Sequence, residues 1–260
     1  MYTLISNITG WPGSQSRVRS RMRFLVLLFV LVSAVSARGQ SVTALQGMEA
    51  HNRGDIATAY LLLQRAASAG DPEAQVNLGY LYARGQGVTQ DQAAALRLYQ
   101  AAAAQGDSEG MNAVGYKYEF GTGVQPDIQW AIHWYCRAVV LGNPRALNNL
   151  GRVVFNGKGL PKDVFEARRL WQQAAKLGKS NAMFNLGLSY LDVPEDMRDR
   201  PLAETWLGRA AAQGQPSAQK WLRDHGYKGP LPPAANEAAL MIPAPTGASG
   251  HSKVCGELIS

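Results

Sequence analysis

Residues 71–106 read DPEAQVNLGYLYARGQGVTQDQAAALRLYQAAAAQG, and the same frame returns every 36 residues. Gly79 recurs as Gly115, Gly151 and Gly187. The closing Gly106 has equivalents at Gly70, Gly142, Gly178 and Gly214. Asp91, Asp127, Asp163 and Asp199 keep the register, as do Ala95, Ala131, Ala167 and Ala203. A fixed period of this length marks a solenoid, in which one supersecondary unit is stacked on copies of itself.

Two helices fit in each period. The first opens at Asp71-Pro72-Glu73, with Asp as N-cap, Pro at the first helical position and an acid in the first turn. Asn143-Pro144 and Gln215-Pro216 repeat that signal. Ala74, Leu78 and Tyr82 then recur four apart on one face. Gly79 sits in the same helix, where glycine costs about 1 kcal/mol against alanine, so close packing of a neighbouring helix is its expected role. The second helix is capped by Asp91 and carries the stripe Ala95, Leu98, Tyr99 and Ala102. The intervening Gly85-Gln86-Gly87-Val88 returns as Gly121-Thr122-Gly123-Val124 and Gly157-Lys158-Gly159-Leu160. No strand precedes these loops and no Gly-Lys-Ser/Thr follows, so they are read as turns and not as phosphate cradles.

The pattern LGxLYxxGxGVxxDxxxAxxLYxxAAxxGD closely resembles the Sel-one-like repeat, a relative of the tetratricopeptide repeat, over about residues 71–214. The resemblance implies an all-α protein, an α-solenoid of helix-turn-helix repeats with right-handed superhelical curvature. It also implies that the first helices line a concave surface, and that the chain is a protein-binding scaffold or adaptor. By that geometry the concave, partner-binding positions are Tyr80 and Arg84; Asn112, Tyr116, Glu119 and Phe120; Asn148, Arg152 and Asn156; and Phe184. Tyrosine and arginine are the usual anchors of such surfaces. The last repeat departs from the frame, with Asp192-Val193-Pro194-Glu195 in place of Gly-x-Gly-Val, so its turn is expected to differ.

Both flanks read differently from the array. Arg17, Arg19, Arg21 and Arg23 precede the apolar run 24–32, and Val35-Ser36-Ala37 follows, so residues 1–37 read as a signal peptide cleaved after Ala37. Met22 is an alternative start. Residues 42–70 form a shorter, tetratricopeptide-like helix pair, 71–214 four full repeats, and 215–227 a capping helix. Residues 228–260, rich in Pro, Ala and Gly, read as a disordered tail.

Composition narrows the function. The chain has 26 Lys+Arg against 19 Asp+Glu, a net charge of +7. Four of those arginines, and no acid, fall within 1–37, which leaves 22 basic and 19 acidic residues beyond it, a net of +3. The remaining basic residues are interspersed with acids, so nucleic acid is not an expected partner. Membrane contact is expected only through the transient signal peptide. His51, His133, His225 and His251 fall in separate elements, and neither HExxH nor CxxC occurs. With no nucleophile motif either, the chain reads as non-enzymatic, without metal or cofactor.

Cys136 and Cys255 are the two cysteines. Positions equivalent to Cys136 hold Gln64, Gln100, Gln172 and Gly208, which predicts a polar, solvent-facing slot. Two readings stay open: a free thiol, or a Cys136–Cys255 bond that pins the tail along the outer face. The whole predicts a periplasmic or secreted adaptor whose partner is another protein or a peptide segment, with regulation of an envelope sensor or assembly as one role. A cell-wall glycan-binding or hydrolase-like protein is the alternative, hinted at by Glu119 beside Tyr116 and Phe120.

Overall fold

A computed structural model describes residues 42–227, 229 and 254–256. The expected signal peptide and most of the tail lie outside these residues. Eleven helices follow one another: α1 (residues 42–52), α2 (Ile56–Ser68), α3 (Pro72–Arg84), α4 (Gln92–Ala104), α5 (Ser108–Phe120), α6 (Ile128–Val140), α7 (Pro144–Asn156), α8 (Val164–Lys176), α9 (Ser180–Ser189), α10 (Arg200–Ala212) and α11 (Pro216–Asp224). They pack as five consecutive antiparallel pairs, with α11 closing the stack. The all-α solenoid expected from the period is the fold.

Each pair is fixed by the residues that recur. Asp71, Asp91, Asp107, Asp163 and Asp199 all accept a hydrogen bond from a backbone N–H three residues on, satisfying the helix N-termini. Gly85, Gly121 and Gly157 end α3, α5 and α7 at φ 65, 66 and 64°, a left-handed conformation that a side chain resists. The last repeat lacks that glycine. There α9 ends at Tyr190 in a right-handed conformation, and a 3-10 turn at Glu195–Met197 carries the chain to α10. The altered loop sequence does produce an altered turn.

Gly79 meets the expectation of close approach. A Cβ there would lie 2.5 Å from the Tyr99 ring, and one at Gly151 would lie 2.6 Å from the Trp171 indole nitrogen. Each "LG" glycine therefore receives the large residue of its own second helix. That contact, repeated at Gly115 with Tyr135 and at Gly187 with Leu207, builds the core along the stack.

Consecutive first helices α3, α5, α7 and α9 also touch one another directly. Their closer spacing makes theirs the concave side of the stack.

The disulfide exists, and it corrects one expectation. Cys136 on α6 is bonded to Cys255, 119 residues away, with 5.2 Å between Cα atoms. Cys136 is not solvent-facing but fully buried; its partner Cys255 sits in a helical turn at 254–256, where Val254 packs against the core. Gln172, in the equivalent slot of α8, is buried as well.

Candidate partner-binding groove

The concave side holds a central groove of about 810 Å³. Its walls come from α3 (Tyr80, Arg84), α5 (Asn112, Tyr116, Lys117), α7 (Arg145, Asn148, Asn149) and the start of α9 (Lys179, Asn181). Five of the residues predicted from sequence, Tyr80, Arg84, Asn112, Tyr116 and Asn148, meet in this one depression. Two further depressions of about 630 Å³ continue it. The N-terminal one adds Met48, Glu73, Asp107 and Glu109. The C-terminal one contains Arg152 and Asn156 together with Trp171, Leu188, Trp221 and His225. Phe184 is half-buried against the core and lines none of the three.

An amide ladder runs along the groove floor. Asn149 Nδ2 donates to Asn112 Oδ1 at 2.9 Å, and one period later Asn185 Nδ2 donates to Asn148 Oδ1 at 2.9 Å. Each rung joins neighbouring first helices. Asn148 also uses its main-chain carbonyl to accept from Trp171 Nε1 at 3.0 Å, which holds the indole over Gly151.

Beside the ladder stands an aromatic and ionic cluster. Tyr116 and Phe120 lie with ring centroids 4.5 Å apart and are 47% and 46% exposed. Arg152 sits 5.3 Å above the Phe120 ring and Lys158 5.4 Å from it. Beneath them, Glu119 is buried. It accepts two hydrogen bonds from Arg152 at 2.7 Å each and one from the Tyr135 hydroxyl at 2.9 Å. Burial alone pulls the Arg152 guanidinium down, but its hydrogen bonds and attraction to Glu119 outweigh this and leave it above the ordinary arginine value. Burial first, and then the charge of Glu119, drives the Tyr135 phenol well above its usual range. Glu119 and Arg152, expected as free groove residues, are thus committed to each other, while Tyr116 and Phe120 remain open.

Sequence reading passed over Lys117, Arg145, Lys179, Asn149 and Asn185. The signal was present at two of them. Lys117 occupies the slot of Leu81 and Val153, and Lys179 stands where Asp71, Asp107 and Asn143 cap their helices. α9 accordingly has no side-chain cap. Among the described residues, no group of three or more His, Cys, Asp or Glu is arranged to hold a metal ion, and no helix is long and apolar enough to cross a membrane.

This architecture defines an α-solenoid of paired helices. The chain belongs to the Sel1 repeat family, whose repeat matches residues 47–71, 72–107, 108–143, 144–179 and 180–215. The short first pair, expected as tetratricopeptide-like, is thus itself matched by the Sel1 repeat. Among solved structures the chain is similar to a Sel1 repeat protein from Oxalobacter formigenes, with 29% identity, a TM-score of 0.59, and 70% of this chain and 72% of that one covered. It is also similar to c5321, a protective antigen of uropathogenic Escherichia coli strains displaying the same repeat fold. There the values are 26% identity, a TM-score of 0.57, and coverage of 75% of this chain and 43% of that one. A third is the immunity protein Pa5087 from Pseudomonas aeruginosa, with 27% identity, a TM-score of 0.50, and 68% and 65% covered. No curated protein matches the sequence.

Proposed function

We propose that the chain is an exported, non-enzymatic scaffold that docks a protein partner in the concave groove. The observation that carries this reading is the set of side chains the groove leaves open. Tyr116 and Phe120 are exposed aromatics, Arg84 is exposed at the groove edge, and the asparagine ladder presents amides between them. Large aromatics, arginines and amides flanking a shallow depression suit recognition of another chain. The likeness to an immunity protein supports a protein partner as the class. Export is supported by the arginine-led apolar stretch within 1–37, and by a buried disulfide, which fits an oxidising compartment outside the cytoplasm. A partner within the bacterial envelope, a sensor or an assembly factor, follows from that location. The glycan reading loses its one hint, because Glu119 is buried and already paired with Arg152 and Tyr135.

The test is capture from the native envelope fraction by the full chain. Tyr116→Ala combined with Arg84→Ala removes an aromatic anchor and an exposed cation. Truncating such an anchor costs about 2 kcal/mol or more, roughly thirtyfold in affinity. Capture is expected to fail with that double variant and to persist with Arg97→Ala and Gln100→Ala on α4. Equal capture by all forms would refute docking in the groove.

A further inference from the structure

Two residues break the repeat frame, and both breaks place a cation in the same groove. The slot of Lys117 is a core position: its equivalents Leu81 and Val153 are apolar and fully buried, and Ser189 in the last full repeat is buried and accepts from Arg168. Lys117 is itself only 4% exposed. Its ammonium donates to Gln92 Oε1 and lies 5.8 Å from the Tyr99 ring. Gln92 replaces the apolar Ile56, Ile128 and Val164 of three other repeats, while the last full repeat has Arg200 there. A buried ammonium met only by a neutral amide and a ring is costly, because nothing in the fold supplies its counter-charge. Lys179 gives up the cap that every other full first helix has, and sets a positive side chain at a helix N-terminus, where the dipole disfavours it. Departures from an otherwise consistent frame, each at a cost in stability, are expected where function demands them.

The groove's charge is one-sided. Arg84, Lys117, Arg145 and Lys179 line it, and no carboxylate does. Arg145 is paired with Glu109 at 2.9 Å. Among the described residues the other three form no ion pair. The amide ladder adds direction. With Asn112 and Asn148 accepting through Oδ1, their Nδ2 groups are the donors left to face a ligand's carbonyls, one per period. The groove shares Tyr80, Arg84 and Arg145 with the N-terminal depression, so a chain can pass through it. Because Glu73, Asp107 and Glu109 line that depression, the acidic part of the segment is confined to the central groove. Single cations set among amides and a tyrosine also fit a peptide better than the regular phosphates of a nucleic acid.

We propose that the groove takes an extended acidic peptide segment of the partner, in which one aspartate or glutamate side chain supplies the counter-ion of Lys117. Flanking acids then face Arg84 and Lys179, and main-chain carbonyls pair with Asn112 and Asn148. This rests on the docking reading above and names the chemistry of what docks. Burial holds the Lys117 ammonium below its ordinary value, and a carboxylate brought within reach restores it.

A library of random displayed decapeptides, selected on the full chain with its disulfide intact, tests this. Selected peptides are expected to share an Asp or Glu at one position. Changing that residue to Gln or Asn should weaken binding to the wild type roughly thirtyfold. The same change should leave binding to K117M unaltered. Lys117→Met restores the apolar slot, so the variant should melt no lower than the wild type; if it fails to fold, the carboxylate-to-amide change on the peptide decides alone. Selected peptides without a shared acid, bound equally by wild type and K117M, would overturn the acidic-segment proposal and leave docking standing. Recovery of no peptide would overturn both. Tighter binding of a single-stranded oligonucleotide than of any selected peptide would replace the peptide with a nucleic acid.

Discussion

Arg152 grips both carboxylate oxygens of Glu119, at 2.7 Å each, across the junction between two repeats. Glu119 lies on α5 and is buried; Arg152 lies on α7 and keeps one side of its guanidinium toward the groove. Breaking a buried pair by removing one partner leaves the other charge stranded, typically at a cost of about 3–5 kcal/mol. Here Lys158, 3.6 Å from Glu119, softens the loss.

Arg152→Ala should therefore destabilise the fold by roughly 2–3 kcal/mol, lowering the melting temperature by roughly 5–10 °C. Adding Glu119→Gln to Arg152→Ala should recover part of that loss, since a neutral amide can still accept from Tyr135. A thermal melt of the four proteins of this cycle checks it. Additive losses would mean that the pair is not coupled.

Gly79→Ala and Gly151→Ala should each cost about 1–3 kcal/mol, because the new methyl group meets the Tyr99 ring or the Trp171 indole and the helix pair must separate to admit it. Alanine is otherwise the better helix former by about 1 kcal/mol, so propensity alone predicts a gain. Denaturant titration of the two variants separates the alternatives by sign.

What the sequence made legible was whatever recurs. Asp91 and its equivalents, Gly79 and its equivalents, and the Gly85 series could be assigned caps, close contacts and turns because three or four copies agree. Single copies were harder. Cys136 was placed on the surface because its slot is polar in other repeats, yet it is buried, as Gln172 is, and it is bonded to a turn at 254–256 that no periodicity announces. Glu119 and Arg152 were each read from the register as groove residues, but their pairing joins α5 to α7, and a period gives positions within a repeat rather than contacts between repeats. Lys117 carries its signal in the sequence, as a lysine where the other full repeats have Leu81, Val153 and Ser189, but a single departure in one column does not say which face of the stack it serves.

Reduction of Cys136–Cys255 should loosen the end of the chain and lower the melting temperature. The bond closes a long loop, with 119 residues between its ends, and a bond of this kind is typically worth about 2–4 kcal/mol. For a domain of this size that corresponds to a drop of roughly 5–15 °C. Limited proteolysis should then remove the region beyond Gly229 faster with reductant than without, while α2 to α10 resist in both. Equal trimming rates would show that the bond does not hold the tail.

Lys117 gives a stability signature that can be read without any partner. Desolvation holds its ammonium below the ordinary value of 10.5. At neutral pH the charge is buried in the folded chain and hydrated in the unfolded one, so the fold carries a penalty. As pH rises through the folded value, the native state releases the proton while the unfolded chain retains it up to about 10.5. The unfolded state then binds more protons, so stability climbs with pH across that window. Methionine at 117 has no proton to lose and no charge to bury. K117M should therefore be more stable than wild type at pH 7, by about 1–2 kcal/mol, the scale seen when buried charges are replaced by apolar residues of similar size. Its advantage should shrink steadily toward pH 10. Comparing the two proteins at each pH cancels the phenols of Tyr99 and Tyr135, which burial raises in both. Chemical denaturation at four or five pH values measures the margin. A margin that widens with pH, or a K117M protein less stable than wild type at neutrality, would mean that the fold already stabilises the charge and that Lys117 is not waiting for an acid.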